Sequence, residues 1–129
     1  LRQSDYINVF GDDYDTRDGT CIRDYVHVSD IANAHLLALE RMKDLSNAIY
    51  NLGNGTGFTV KEVIATAERI SQSTIPVRIK SRRAGDPAKL VASAAKARDQ
   101  LGWNPICSDL ESIVESSWLW HLRHKDGYD

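Results

Sequence analysis

The chain has 129 residues, 42% hydrophobic and 26% charged, with a net charge of −2. That balance fits one folded domain with a modest core and excludes a disordered chain. It also lacks the basic excess that general nucleic-acid binding or a membrane-surface role would require.

No run is long and apolar enough to span a bilayer, and no signal peptide opens the chain. Cys21 and Cys107 stand outside any metal-type spacing and read as reduced thiols of a cytoplasmic protein, although their spacing also allows a bridge. The chain opens on Leu1, and Leu1–Asp5 reads as the interior of a longer protein. The expectation is therefore a single unit, residues 1–129, cut from something larger.

Taken in chain order, Tyr6–Phe10 alternates apolar and polar residues and predicts a strand. A polar loop, Gly11–Gly19, leads to a second predicted strand over Cys21–Val28. Ser29 and Asp30 supply an N-cap, and Ile31, Ala34, Leu37, Ala38 and Met42 then fall on one helical face, with an end expected near Lys43. Ala48–Leu52 reads as an apolar strand covered on both faces, which suggests a larger sheet that this chain does not contain.

Thr59-Val-Lys-Glu62 is a capping box opening a second helix, whose apolar positions are Val60, Val63, Ile64, Ala67 and Ile70. Pro76–Lys80 predicts a strand and Leu90–Ala92 a short extended piece. Ser93–Leu101 predicts a helix stopped by Gly102. Ser108-Asp-Leu-Glu111 reads as another capping box, opening a last helix. The fold class is mixed α/β.

Several segments hint at chemistry. Gly53-Asn-Gly55-Thr-Gly57 lies between a strand and a helix, as a dinucleotide loop does. Position 58 is Phe, however, and Lys80 rather than an acid ends the following strand, so a tight turn is the better reading and no residue is assigned to a cofactor. None of the five tyrosines is followed four residues later by Lys, so no catalytic residue is assigned either. His121 and His124 suit a helix C-terminus better than a metal, and His27 reads as structural. Trp103, Trp118 and Trp120 are read as packing anchors. The cations from Arg78 to Arg83 read as a solvated strand edge whose alternation divides them between two faces.

Two basic-acidic clusters remain, Arg23-Asp24-Tyr25 and Arg82-Arg83-Ala-Gly-Asp86-Pro87. Arginine's planar fork suits phosphate, and two forks meeting in one cleft would grip a diphosphate. The competing reading is ordinary ion pairing, of Arg23 with Asp24 or Asp30 and of Arg83 with Asp86.

The stretch from Val9 to Asp30 closely resembles a segment of UDP-glucose 4-epimerases. So do Tyr50-Asn-Leu-Gly-Asn-Gly55, Arg82–Pro87, Leu101-Gly-Trp103 with Pro105, and the end from Trp120-His121 to Gly127-Tyr128. The resemblance runs from about Tyr6 onward. It implies the C-terminal, substrate-binding portion of an extended short-chain dehydrogenase, without the N-terminal Rossmann sheet. The NAD loop, the catalytic Ser or Thr and the Tyr-x-x-x-Lys pair of that family would precede Leu1. NAD is then expected in the whole enzyme and not on this portion.

By match to the family's motifs, Arg23 and Arg83 would clamp the UDP diphosphate and Asp86 would hold a ribose hydroxyl. Asn8 and Phe10 would meet the uracil, largely through backbone groups, and Tyr25 would line the pocket. Cys21, Ala84 and Leu90 depart from residues common in the family and bear on which sugar is turned over. The implied partners are a UDP-sugar and the missing N-terminal domain, with self-association through exposed apolar surface when that domain is absent. A related UDP-sugar reaction (pentose epimerisation, decarboxylation or dehydration) and a binding module without chemistry are the alternatives.

Overall fold

The computed structural model describes residues 4–44 and 49–127. Strand β1 is Ile7–Phe10 and strand β2 is Ile22–Arg23. Helix α1, Val28–Glu40, follows, then β3, Phe58–Thr59, running directly into helix α2, Val60–Ser71. The rest comprises β4, Val77–Lys80, β5, Lys89–Leu90, helix α3, Ala95–Leu101, and helix α4, Leu110–Arg123. The described residues thus form a mixed α/β unit.

Two small sheets organise it. β1 and β4 pair in parallel, with Asn8 opposite Arg78 and Phe10 opposite Lys80. β2 lies between β3, antiparallel, and β5, parallel, so Arg23 faces Phe58 on one side and Leu90 on the other. The core gathers Ala34, Ala94, Ala97, Leu101 and Trp103, against which Val26, Leu37, Ala38, Tyr50 and Leu52 pack. Trp103 is 1% exposed, and its indole N–H donates to the carbonyl of Asp30 at 2.8 Å, so the one polar atom of that ring is satisfied. Trp118 and Trp120 are only part-buried, and of the three tryptophans Trp103 alone belongs to this core. α2 packs along α4. Cys21 and Cys107 are both free thiols.

The capping box at Thr59 forms as its sequence predicts. Thr59 Oγ1 accepts from the Glu62 amide at 3.1 Å, and Glu62 Oε2 accepts from the Thr59 amide at 2.8 Å. Gly102, at φ +72°, ends α3 in the left-handed conformation that favours glycine.

Four expectations are corrected. α1 is capped by His27, whose Nδ1 accepts from the Ser29 amide at 3.1 Å, not by Ser29 or Asp30. The box at Ser108 does not form, because Asp109 caps α4 by accepting from the Ser112 amide at 2.8 Å. The strand predicted over Cys21–Val28 spans only Ile22–Arg23, and α1, expected to run to about Lys43, ends at Glu40, so Met42 lies past it and is 66% exposed.

The apolar run at 48–52, of which Ala48 lies outside the described residues, is expected to pair within a sheet that this chain does not contain. Ile49–Leu52 pairs with no strand among the described residues. Tyr50 and Leu52 pack on the core while Ile49 is 82% exposed, so only one side of the run is covered.

Candidate functional site

The carboxylates of the first cluster serve the scaffold. Asp24 accepts from the Asn54 amide with one oxygen and from the Ala92 amide with the other, each at 2.9 Å. Asp30 is 3% exposed and accepts from the amides of Ile106 and Cys107 at 3.0 Å and from the Ser108 hydroxyl at 2.6 Å. Burial alone would raise the Asp30 carboxyl, but the Ser108 hydroxyl and the two amides hold it below the ordinary 3.8. Neither acid therefore pairs with Arg23.

Asp18 repeats the pattern. It accepts from the hydroxyls of Thr20 and Thr59, both fully buried, and from the Thr20 amide at 2.9 Å. Here too burial would raise the carboxyl, and the Thr59 and Thr20 bonds with nearby Lys61 bring it down.

The Gly53–Gly57 segment is a side-chain-built turn. Asn54 Oδ1 accepts from the amides of Thr56 and Gly57 at 2.9 Å, and its Nδ2 donates to the Tyr25 carbonyl at 3.1 Å. The Thr56 and Gly57 amides, donors of the kind a nucleotide phosphate uses, are thus spent on Asn54. Gly57 sits at φ +71°, and a Cβ there would lie 2.6 Å from Val91 Cγ2 and 2.7 Å from Ile22 Cγ2.

The Arg23 side chain reaches the turn that carries Arg83. Arg23 Nη2 donates to Asp86 Oδ1 at 3.0 Å, while its Nη1 donates to the carbonyls of Ile22 and Pro87 at 2.8 and 3.0 Å. The Asp86 amide in turn donates to the Arg83 carbonyl at 3.2 Å, closing the Arg83–Asp86 turn. Asp86 thus pairs with Arg23, across 63 residues of sequence, and not with Arg83. The Arg83 guanidinium has no acid or carbonyl partner among the described residues; its Cζ lies over the Phe10 ring, 3.8 Å from the centre.

Phe10 ends β1, and Asn8 stands two residues earlier on the same side, exposed. Register puts Arg78 and Lys80 on that side too, because residues two apart on a strand share a face. Of the run from Arg78 to Arg83, only Arg78 and Lys80 lie on β4, and they share one side. Arg78 stacks over Tyr6 at 3.5 Å, and Arg82 over Tyr14 at 4.2 Å while also donating to Asp13 at 2.8 Å. Tyr25 is half-buried near Arg23. Burial pushes its phenol up, Cys21 adds to that, and Arg23 opposes both.

His27 caps α1 with Nδ1, and its Nε2 hydrogen-bonds with Ser116 Oγ at 2.8 Å. His124 caps the C-terminus of α4, stacked on Trp120. No cluster of three metal-ligating side chains occurs among the described residues, and no described helix is long and apolar enough to cross a membrane. Two open depressions have other linings. One, of about 580 Å³, is bordered by Val26, Val28, Ile113 and Trp120, and the other, of about 440 Å³, by Asn54, Arg98, Asn104 and Ile106.

A family model described as GDP-mannose 4,6 dehydratase matches residues 2–116. The chain belongs to that family. Within this extended short-chain dehydrogenase group its similarity is to UDP-glucose 4-epimerases. The enzyme of that name from Halalkalibacterium halodurans is 52% identical over 129 residues, covering 99% of this chain and 39% of the relative. A crystal structure of a UDP-glucose 4-epimerase superposes with a TM-score of 0.93 at 47% identity, covering 98% of this chain and 39% of that one. The Bifidobacterium longum UDP-glucose 4-epimerase, solved in complex with NAD+ and UDP, superposes at 0.86 with 39% identity, covering 95% of this chain and 36% of that one. The chain thus spans well under half the length of the relatives it matches.

Two features of the site were hidden from sequence reasoning. One is the Arg23–Asp86 strap, and the other is the Phe10 platform under Arg83. Neither has a local signal, since each pairs residues on separate strands and turns.

Proposed function

We propose that this chain is the C-terminal, UDP-sugar-binding portion of a UDP-glucose 4-epimerase. In that reading Arg23 and Arg83 hold the diphosphate, Asp86 a ribose hydroxyl, and Asn8 and Phe10 the uracil through backbone groups, with Tyr25 along the pocket. The observation that carries the proposal is the Arg83–Asp86 turn. Arg23 reaches Asp86, distant in sequence, and the Arg83 guanidinium of the same turn has no acid partner among the described residues, which supports this reading. Charge-assisted bonds from such forks anchor a diphosphate, and the binding energy of that remote group positions the reacting sugar.

The redox chemistry at C4 of the sugar, for which NAD is the carrier, falls to the other portion of such an enzyme. This chain contributes neither base nor cofactor loop and has no turnover alone. The nucleotide-binding portion is also the proposed occupant of the outer face of α1. Leu36 and Leu39 are both more than half exposed there, opposite the core-facing Ala34, Leu37 and Ala38. A helix apolar on both sides belongs between two layers, and the relatives carry more than half their length beyond the matched part. Expressed alone, the chain is expected to self-associate through this face, and light scattering that shows a monomer at high concentration would count against that docking.

The function is tested by calorimetric titration with UDP of the protein joined to its nucleotide-binding portion, alongside conversion of UDP-galactose to UDP-glucose. Saturable UDP binding weakened by Arg83→Ala is the expected outcome, and UDP affinity indifferent to that substitution would refute the assignment.

A further inference from the structure

We propose that the Phe10 side chain is the positioning residue for Arg83, a flat platform that holds the guanidinium ready for the diphosphate. The inference rests on the function proposed above and concerns a part of Phe10 which that function leaves unused, since the uracil is met by backbone. Three arginines at this rim lie on aromatic rings: Arg78 on Tyr6, Arg82 on Tyr14 and Arg83 on Phe10. Arg82 is additionally tied to Asp13. Arg83 is held by its ring and by no acid among the described residues.

A ring face attracts a guanidinium through its quadrupole without occupying any of its N–H donors. An acid partner would use those donors and offset the charge. A bare solvated arginine would keep both but would lose side-chain freedom on binding. The platform avoids both costs. It restricts a long side chain on an exposed turn while leaving the whole fork for phosphate oxygens.

A double-mutant cycle tests this in the protein joined to its nucleotide-binding portion, with UDP and uridine as probes. Phe10→Leu keeps the apolar bulk and removes the π face. It is expected to weaken UDP about two- to fivefold, the reach of a surface cation–π contact, and to leave uridine unchanged. The same change made on top of Arg83→Ala is expected to add nothing, and Phe10→Tyr, which restores the ring, is expected to restore wild-type UDP affinity. Equal weakening of UDP and uridine by Phe10→Leu, or an undiminished effect in the Arg83→Ala background, would overturn the platform. If Arg83→Ala itself leaves UDP binding unchanged, the proposed function fails first, and the platform with it.

Discussion

Arg23 reaches the turn that carries Arg83, and the two live in opposite surroundings. Arg23 is strapped by three hydrogen bonds to Asp86 and to two carbonyls, with its side chain largely covered. Arg83 lies on an aromatic ring with its donors unspent on the described residues. The acids divide in the same way. Asp18, Asp24 and Asp30 are occupied by amides and hydroxyls of the scaffold, and Asp86 faces the rim. The contrast teaches that a basic-acidic cluster in sequence is not a set of neighbouring ion pairs. The acids build the floor, Arg23 fixes the turn with part of its fork, and Arg83 keeps its whole fork unspent on the described residues.

The floor is where substitution should cost most. Asp30→Ala strands the Ile106 and Cys107 amides and the Ser108 hydroxyl, and is expected to lower unfolding free energy by about 3 kcal/mol in urea titration. A loss below about 1 kcal/mol would mean that water replaces the carboxylate. The pH dependence follows from the same bonds. The Asp30 and Asp18 carboxyls are held below their ordinary 3.8, so their contribution is present above that value and lost as pH falls through the lower folded values. Asp30→Asn should flatten this acid limb of the stability curve, and an unchanged limb would assign the acid sensitivity elsewhere.

Next in size is the strap. Arg23→Ala should destabilise by about 1–2 kcal/mol, because it frees the turn and leaves Asp86 without its cation. Gly57→Ala should cost more than about 1 kcal/mol, from positive φ and overlap with Val91 and Ile22, and a neutral result would mean that this packing relaxes easily. Smallest is Arg69→Ala. The Arg69–Glu111 pair joins α2 to α4 at 2.7 Å with both side chains well exposed, so thermal denaturation is expected to show no resolved change in Tm.

Local grammar made much of the fold legible. The Thr59 box and the Gly102 stop depend on residues within a few positions of each other, and both form where the pattern puts them. The Ser108 box failed because its hydroxyl is drawn to Asp30, which lies 78 residues away. Asp30 failed as a cap for the same reason. The run at 48–52 has the composition of a strand, and its expected ladder partners belong to a sheet that this chain does not contain. At the site, the turn of Arg83–Asp86 was visible in its glycine, proline and aspartate. Which arginine Asp86 would choose was not visible, because that choice is made by the pairing of β2 with β5, across 63 residues of chain.

The rim provides the decisive measurement. Arg83→Ala, in the protein joined to its nucleotide-binding portion, should leave urea stability within about 0.5 kcal/mol of wild type, because the Arg83 side chain makes no hydrogen bond to the described residues and its backbone turn bond survives the change. In the same protein it should weaken UDP by about tenfold to a hundredfold, the worth of a charged hydrogen bond, while uridine binds as before. Equal affinities of the variant and the wild type for UDP would contradict the claim that the free arginine of this turn is the diphosphate grip.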